Sequence, residues 1–301
     1  MKRLLDCYAS DFSKMTKVEK LLAIRLSEGR SLVAETVVTA PPLYPNVTNQ
    51  EIAARFGADM VLLNMLDVSG TATLDGKDLT AKDYIATIRQ LTGRLIGLNL
   101  EPVAEASDKN PHLEAIPVGR KAVKETLKQV KELNLDFVCL TGNPKTGVTY
   151  KEMINAVKEA KDILGENVFI IAGKMHHAGV VDDPLTEAVV KQLVEAGTDI
   201  LLLPSPKTVP GFTVAEATQF VRYIHEHDRL AMSTIGTSQE GSRQHVIETI
   251  ALQNKEIGFD LHHIGDAGYT GLAIPENIEA YSVAIRGKRH TMVRMAQAVT
   301  R

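Results

Sequence analysis

The chain is expected to be α/β, a single (β/α)8 barrel preceded by an extra N-terminal helix. Three observations predict it. Eight short apolar runs recur along the 301 residues, eight helical patterns separate them, and the joints from helix to strand repeat one motif. Strands that are apolar throughout, with no alternation, mark a parallel sheet covered on both faces. Eight such units in about 250 residues fit closure into a barrel better than an open doubly wound sheet.

The elements follow in order. "SLVAETVV" (32–39) is the first strand, rich in β-branched residues, and apolar residues at three- and four-residue spacing make 48–56 a helix. The same alternation continues with "DMVLLNML" (59–66) and a helix at 80–92, "RLIGLNLE" (94–101) and 115–133, then "DFVCLTG" (136–142) and 149–164. The second half repeats it: "NVFIIAG" (167–173) and 183–196, "DILLLPS" (199–205) and 213–227, "LAMSTIG" (230–236) and 240–257, "DLHHIG" (260–265) and 275–286. At "FGAD" (56–59), "LNLD" (133–136), "AGTD" (196–199) and "GFD" (258–260), Gly or Asn ends a helix in a left-handed turn and Asp opens the next strand. Residues 1–30, where "KVEKLLAIRLSEG" has helical spacing, form an N-terminal extension that caps the barrel bottom or packs at an interface; the barrel domain spans 31–301.

Composition narrows the function. A net charge of −3 argues against a nucleic-acid partner. The one basic cluster, Arg286, Lys288, Arg289, His290 and Arg294, reads as a solvated helix end, since cations favour helix C-termini. Two cysteines, Cys7 and Cys139, allow neither a disulfide framework nor a zinc knuckle. No apolar stretch approaches the roughly 20 residues of a membrane span, and the first residues hold no signal-peptide core. A cytoplasmic protein is expected.

In such barrels the chemistry gathers where the strands end at their C-terminal side. Those ends hold Glu35, Asn64, Asn99 with Glu101, Thr141 with Asn143, Lys174 with His176 and His177, Ser205 with Lys207, Thr234 with Thr237 and Ser238, and His262, His263 and Asp266. Lys174 is the expected centre, as a Schiff-base nucleophile or as a charge that holds an anion. Glu101 or Glu35 would move the proton. Neighbouring residues on extended chain point opposite ways, so one histidine of each adjacent pair faces the pocket; His176, sharing parity with Lys174, is the expected member of the first pair. Asn64, Asn99, Thr141, Asn143 and Asp266 would contact substrate.

The last two loops, "STIGTSQEGS" and "IGDAGYTG", supply bare amides and hydroxyls at Gly236, Thr237, Ser238, Gly265 and Gly268. Loops in these positions commonly hold phosphate.

With eight units and these two loops, the sequence resembles the phosphate-binding TIM-barrel superfamily, which includes sugar-phosphate epimerases, aldolases and amino-acid biosynthetic isomerases. It also resembles an uncharacterised group of bacterial barrels labelled phosphoenolpyruvate phosphonomutase-like or haloacid-dehalogenase-like. The resemblance implies phosphate binding at Gly236, Thr237, Ser238, Gly265 and Gly268. The "DxDxGYG" magnesium pattern of the phosphonomutase and isocitrate lyase family has no counterpart here, nor have the paired aspartates of the dehalogenase phosphatases.

The expected function is carbanion-type chemistry on a small phosphorylated sugar or keto acid, as an aldolase-type lyase or an epimerase-type isomerase, in a homo-oligomer. Two alternatives stay open. One is a metal-dependent lyase or hydrolase, in which Glu35, Glu101, His176, His263 and Asp266 hold a divalent metal. The other is a non-catalytic regulatory protein that binds a phosphorylated metabolite.

Overall fold

The computed structural model describes residues 1–104, 112–180, 183–266 and 268–301, with the side chain of Tyr269 also outside the described set. In chain order the strands are β1 (Ser31–Val37), β2 (Met60–Asn64), the hairpin of β3 (Thr71–Leu74) and β4 (Lys77–Thr80), then β5 (Leu95–Leu100), β6 (Phe137–Leu140), β7 (Phe169–Ala172), β8 (Ile200–Pro204), β9 (Leu230–Ile235) and β10 (Leu261–Ile264). All but the hairpin are parallel and close on themselves, β1 pairing with both β2 and β10. This is the (β/α)8 barrel that the sequence predicts.

Two short N-terminal helices, α1 (Ala9–Phe12) and α2 (Lys17–Arg25), precede the barrel. The outer ring is α3 (Asn49–Arg55), α4 (Ala81–Thr92), α5 (Lys124–Lys131), α6 (Tyr150–Leu164), α7 (Glu187–Ala196), α8 (Val214–Glu226), α9 (Gln244–Ile257) and α10 (Pro275–Ala296). Five of these start at a threonine: the hydroxyls of Thr48, Thr80, Thr149, Thr186 and Thr213 each accept a first-turn backbone N–H, which satisfies a donor the helix itself cannot. Among the described residues no helix is long and apolar enough to cross a membrane.

The repeated aspartates tie the bottom of the barrel together. Asp59 accepts the backbone N–H of Leu32, Asp136 that of Ile96 and Asp199 that of Ile170, each at 2.8 Å, while Asp260 accepts that of Ala231 at 2.9 Å. Each therefore anchors the start of the preceding strand. Three also meet a cation and the fourth a histidine: Asp59 meets Arg286 and Arg294, Asp136 meets Lys20 and Arg89, Asp199 meets Lys17, and Asp260 meets His225.

The N-terminal helix is held by the same residues. Lys17 and Lys20 of α2 reach two of the four aspartates, and Ala23 and Ile24 join Leu95, Phe137, Phe169 and Leu261 in one buried cluster. Residues 17–25 thus cover the lower end of the barrel interior.

Two expectations are corrected. The basic C-terminal cluster is not a solvated helix end: α10 runs on through a kink at Gly287 (φ 77°), and Arg286 and Arg294 are buried against Asp59, leaving Lys288 and Arg289 exposed. The helix expected at 115–133 shortens to α5, because the preceding segment carries a 3-10 turn (Val118–Arg120) and bridges Lys121 to Glu101. The segment "TATLDGKDLT" folds as the β3–β4 hairpin, with Asp75 and Gly76 at φ 49° and 73°, the left-handed pair of a tight two-residue loop.

Gly97 makes room inside the barrel for Phe137, whose ring stacks on Phe169 at 5.2 Å. A Cβ at residue 97 would lie 2.3 Å from that ring. Gly97→Ala should therefore cost about 1–3 kcal/mol, read as a lower urea midpoint at unchanged slope.

Candidate active site

The barrel interior is apolar below and polar above because each strand alternates its faces. Val33, Leu62, Cys139 and Leu261 point inward, and two residues further along the same strands Glu35, Asn64, Thr141 and His263 do so as well. Gly97 is followed by Asn99 in the same way. Above this layer opens a cavity of about 460 Å³, lined by Glu35, Asn64, Asn99, Thr141 and Asn143, by Met175 and His176 from the loop after β7, by Gly236, Thr237, Ser238 and Glu240 from the loop after β9, and by Gly265, Asp266 and Gly268 after β10.

Glu35 is fixed at both oxygens. Asn99 Nδ2 donates to Oε1 at 2.6 Å, and His263 Nε2 stands 3.0 Å from Oε2, with Thr234 Oγ1 2.6 Å from His263 Nδ1. Asp266 is held more loosely, by Asn64 Nδ2 at 3.2 Å. Burial, and next the charge of Glu35, push the Asp266 carboxyl up to about 7, so it exchanges its proton near neutrality. Burial also raises the Glu240 carboxyl and lowers His176. His176 Nδ1 accepts the backbone N–H of Ala178 at 3.0 Å, which leaves a neutral ring whose Nε2 carries the proton.

The family described as "Domain of unknown function (DUF7916)" matches residues 5–301. The chain belongs to this family. A search of curated proteins finds no match. Among solved structures, this DUF7916 chain is similar to 2,3-dimethylmalate lyase, described as a PEP mutase/isocitrate lyase superfamily member, at 13% identity and a TM-score of 0.50 over 84% of this chain and 82% of that one. Oxaloacetate acetylhydrolase is similar at 14% and 0.50, over 84% and 81%. Thiamine phosphate pyrophosphorylase from Pyrococcus furiosus stands at 15% and 0.48, over 86% and 97%. At such identities the first two likenesses show a shared TIM-barrel fold and no specific activity.

In the DUF7916 chain the expected residues divide between two places. Glu35, Asn64, Asn99, Thr141, Asn143, His176, Gly236, Thr237, Ser238, Gly265, Asp266 and Gly268 all line the cavity. Lys174 does not. It follows Ile170 and Ala172, which face the helix layer, and its Nζ pairs with Asp183 at 2.5 Å and lies 4.4 Å from the centre of the Tyr150 ring. That charge is engaged outside the cavity. His176 reaches the cavity although it shares the parity of Lys174, because β7 ends at Ala172 and the strand alternation ends with it.

Glu101 also stands back from the cavity. It receives Arg120 Nη2 at 2.5 Å and the side-chain and backbone N–H groups of Asn143 at 3.0 and 3.1 Å; Asn143 and Asn64 exchange amide hydrogen bonds of 2.9 and 3.0 Å, and Asn64 reaches Asp266. Glu101 therefore orients Asp266 through two amides. Glu101→Gln should cost about 1–3 kcal/mol of stability by leaving Arg120 without its countercharge, which a denaturant titration against the parent would measure.

Of the second histidine pair, His263 turns inward to Glu35, while His262 faces Ser233, Tyr281 and the carbonyl of Gly29 and is lowered by burial to about 4. Arg120 and Glu240 were not among the expected site residues. Glu240 had a visible signal, as the one acid in "STIGTSQEGS"; Arg120 had none.

Proposed function

We propose that this DUF7916 chain is a lyase or isomerase that makes and quenches a carbanion next to the carbonyl of a small sugar or keto acid. One observation carries the reading: Asp266 faces the cavity beside Glu35 and Asn64, where burial and the charge of Glu35 push its carboxyl up to about 7. Ionised Asp266 takes a proton from the carbon beside the carbonyl. The electron pair moves onto the carbonyl oxygen, which His176 Nε2–H stabilises as a neutral donor. Glu35, held by Asn99 and His263, keeps Asp266 basic by its charge. Where the deprotonated carbon bears a hydroxyl, passage of that hydroxyl's proton to the enolate oxygen and return of the carbon-bound proton to the former carbonyl carbon complete an isomerisation; where it bears none, expulsion of a β-group with its electron pair completes a lyase reaction.

The five loop residues expected to bind phosphate all line the cavity. A resident divalent cation fits less well. Both Glu35 oxygens are engaged, and no group of three His, Cys, Asp or Glu placed to bind a metal occurs among the described residues. The steps above are therefore derived without one.

The test is exchange of carbon-bound hydrogen in D2O, followed by NMR over a panel of ketoses and oxo acids with and without phosphate. Exchange by the parent, unaffected by EDTA and lost in Asp266→Asn, supports the reading. Equal exchange in parent and variant sinks it.

A further inference from the structure

Three carboxylates face the cavity, Glu35, Glu240 and Asp266, and no Lys or Arg lines it among the described residues. Lys174 and Arg120 are engaged elsewhere, on Asp183 and on Glu101. An entering phosphate dianion would meet negative charge with no countercharge.

The loops that would grip a phosphate are also engaged. The Gly265 N–H donates to the carbonyl of Ile235 at 2.7 Å, and the Thr237 hydroxyl lies 2.8 Å from the carbonyl of Thr208 and 2.6 Å from Gln239 Oε1. The Glu240 carboxylate draws on the backbone amides of Ser238 and of its own residue. The chain thus supplies its own anion to the loop after β9.

Three polar atoms on residues that line the cavity await a partner. Asn99 Oδ1, Glu240 Oε2 and Thr141 Oγ1 have no partner among the described residues, although these residues are 96%, 98% and 98% buried. Unpaired buried acceptors are costly, and ligand hydroxyls would satisfy them.

From this arrangement we propose that the cavity takes an uncharged, multiply hydroxylated carbonyl compound of the ketose type and that Glu240 excludes its phosphate ester. The inference rests on the proton-transfer reading and selects its substrate class. Selection against the ester works by leaving a charge unpaired, which discriminates more strongly than an added or missing apolar contact.

The experiment is calorimetric binding of dihydroxyacetone and fructose, each beside its phosphate ester, and of inorganic phosphate, to the parent and to Glu240→Gln at pH 7.5. A free ketose should bind at least tenfold more tightly than its ester, inorganic phosphate should not compete, and Glu240→Gln should narrow the gap by tenfold or more. Esters that bind as tightly as the free sugars, or no free ketose bound, would overturn the proposal; the parent alone decides this if the variant folds poorly. The D2O exchange assay separates the two readings. A free ketose that binds without exchanging hydrogen sinks the proton transfer and leaves the ligand class standing, whereas an ester that exchanges faster than its parent sugar does the reverse.

Discussion

Asp266→Asn should abolish hydrogen exchange and at the same time make the protein more stable above pH 7. The loss of activity follows from removing the base, worth on the order of 10²–10⁴-fold in rate. The gain in stability follows from the raised carboxyl. In the fold Asp266 titrates at about 7 against an ordinary 3.8, so folding favours its protonated form. That contribution is fully present below pH 4 and disappears as pH rises through 7. At pH 8 an ionised Asp266 costs the fold on the order of a few kcal/mol, which asparagine removes. Urea unfolding of parent and variant at pH 5 and pH 8 measures it. Equal effects at the two pH values would show that Asp266 does not titrate as described.

Asp59→Ala should give the largest loss of stability. Asp59 is fully buried, bonded to Arg286 at 2.6 Å and Arg294 at 2.7 Å, and its carboxyl is held below the usual range by those two cations against the cost of burial. Arg94 adds a third buried guanidinium nearby, lowered to about 9 by burial and by the charge of Arg294. Removing the only acid of this group leaves buried cations uncompensated, at a cost of about 3–5 kcal/mol, and also frees the Leu32 N–H. A guanidinium titration showing a loss under about 1 kcal/mol would contradict this account.

Fold and site were legible in the sequence to different degrees. Strand ends such as Glu35, Asn64 and Asn99 were readable because they continue an inward-facing run of the same strand, where period and position agree. Lys174 was not, because β7 ends two residues earlier and its parity with Ala172 turns it outward to Asp183. Glu101 sat at the expected height and still faces away from the cavity, since Arg120 and Asn143 engage it from two segments, before α5 and after β6, that local pattern does not place. The four joint aspartates were legible as strand openers. Their anchoring of the neighbouring strand depends on pairing between distant segments, which local spacing does not contain.

Those aspartates have a consequence for how this molecule could change. Asp59 and Asn64, Asp136 and Thr141, and Asp260 and Gly265 stand at opposite ends of single strands, one end fastened and the other facing the cavity. A combinatorial library confined to Asn64, Thr141 and the loops after β9 and β10 leaves every one of those fastenings in place. Descendants with altered substrates are therefore reachable through folded intermediates, and the scaffold can be retooled from its rim.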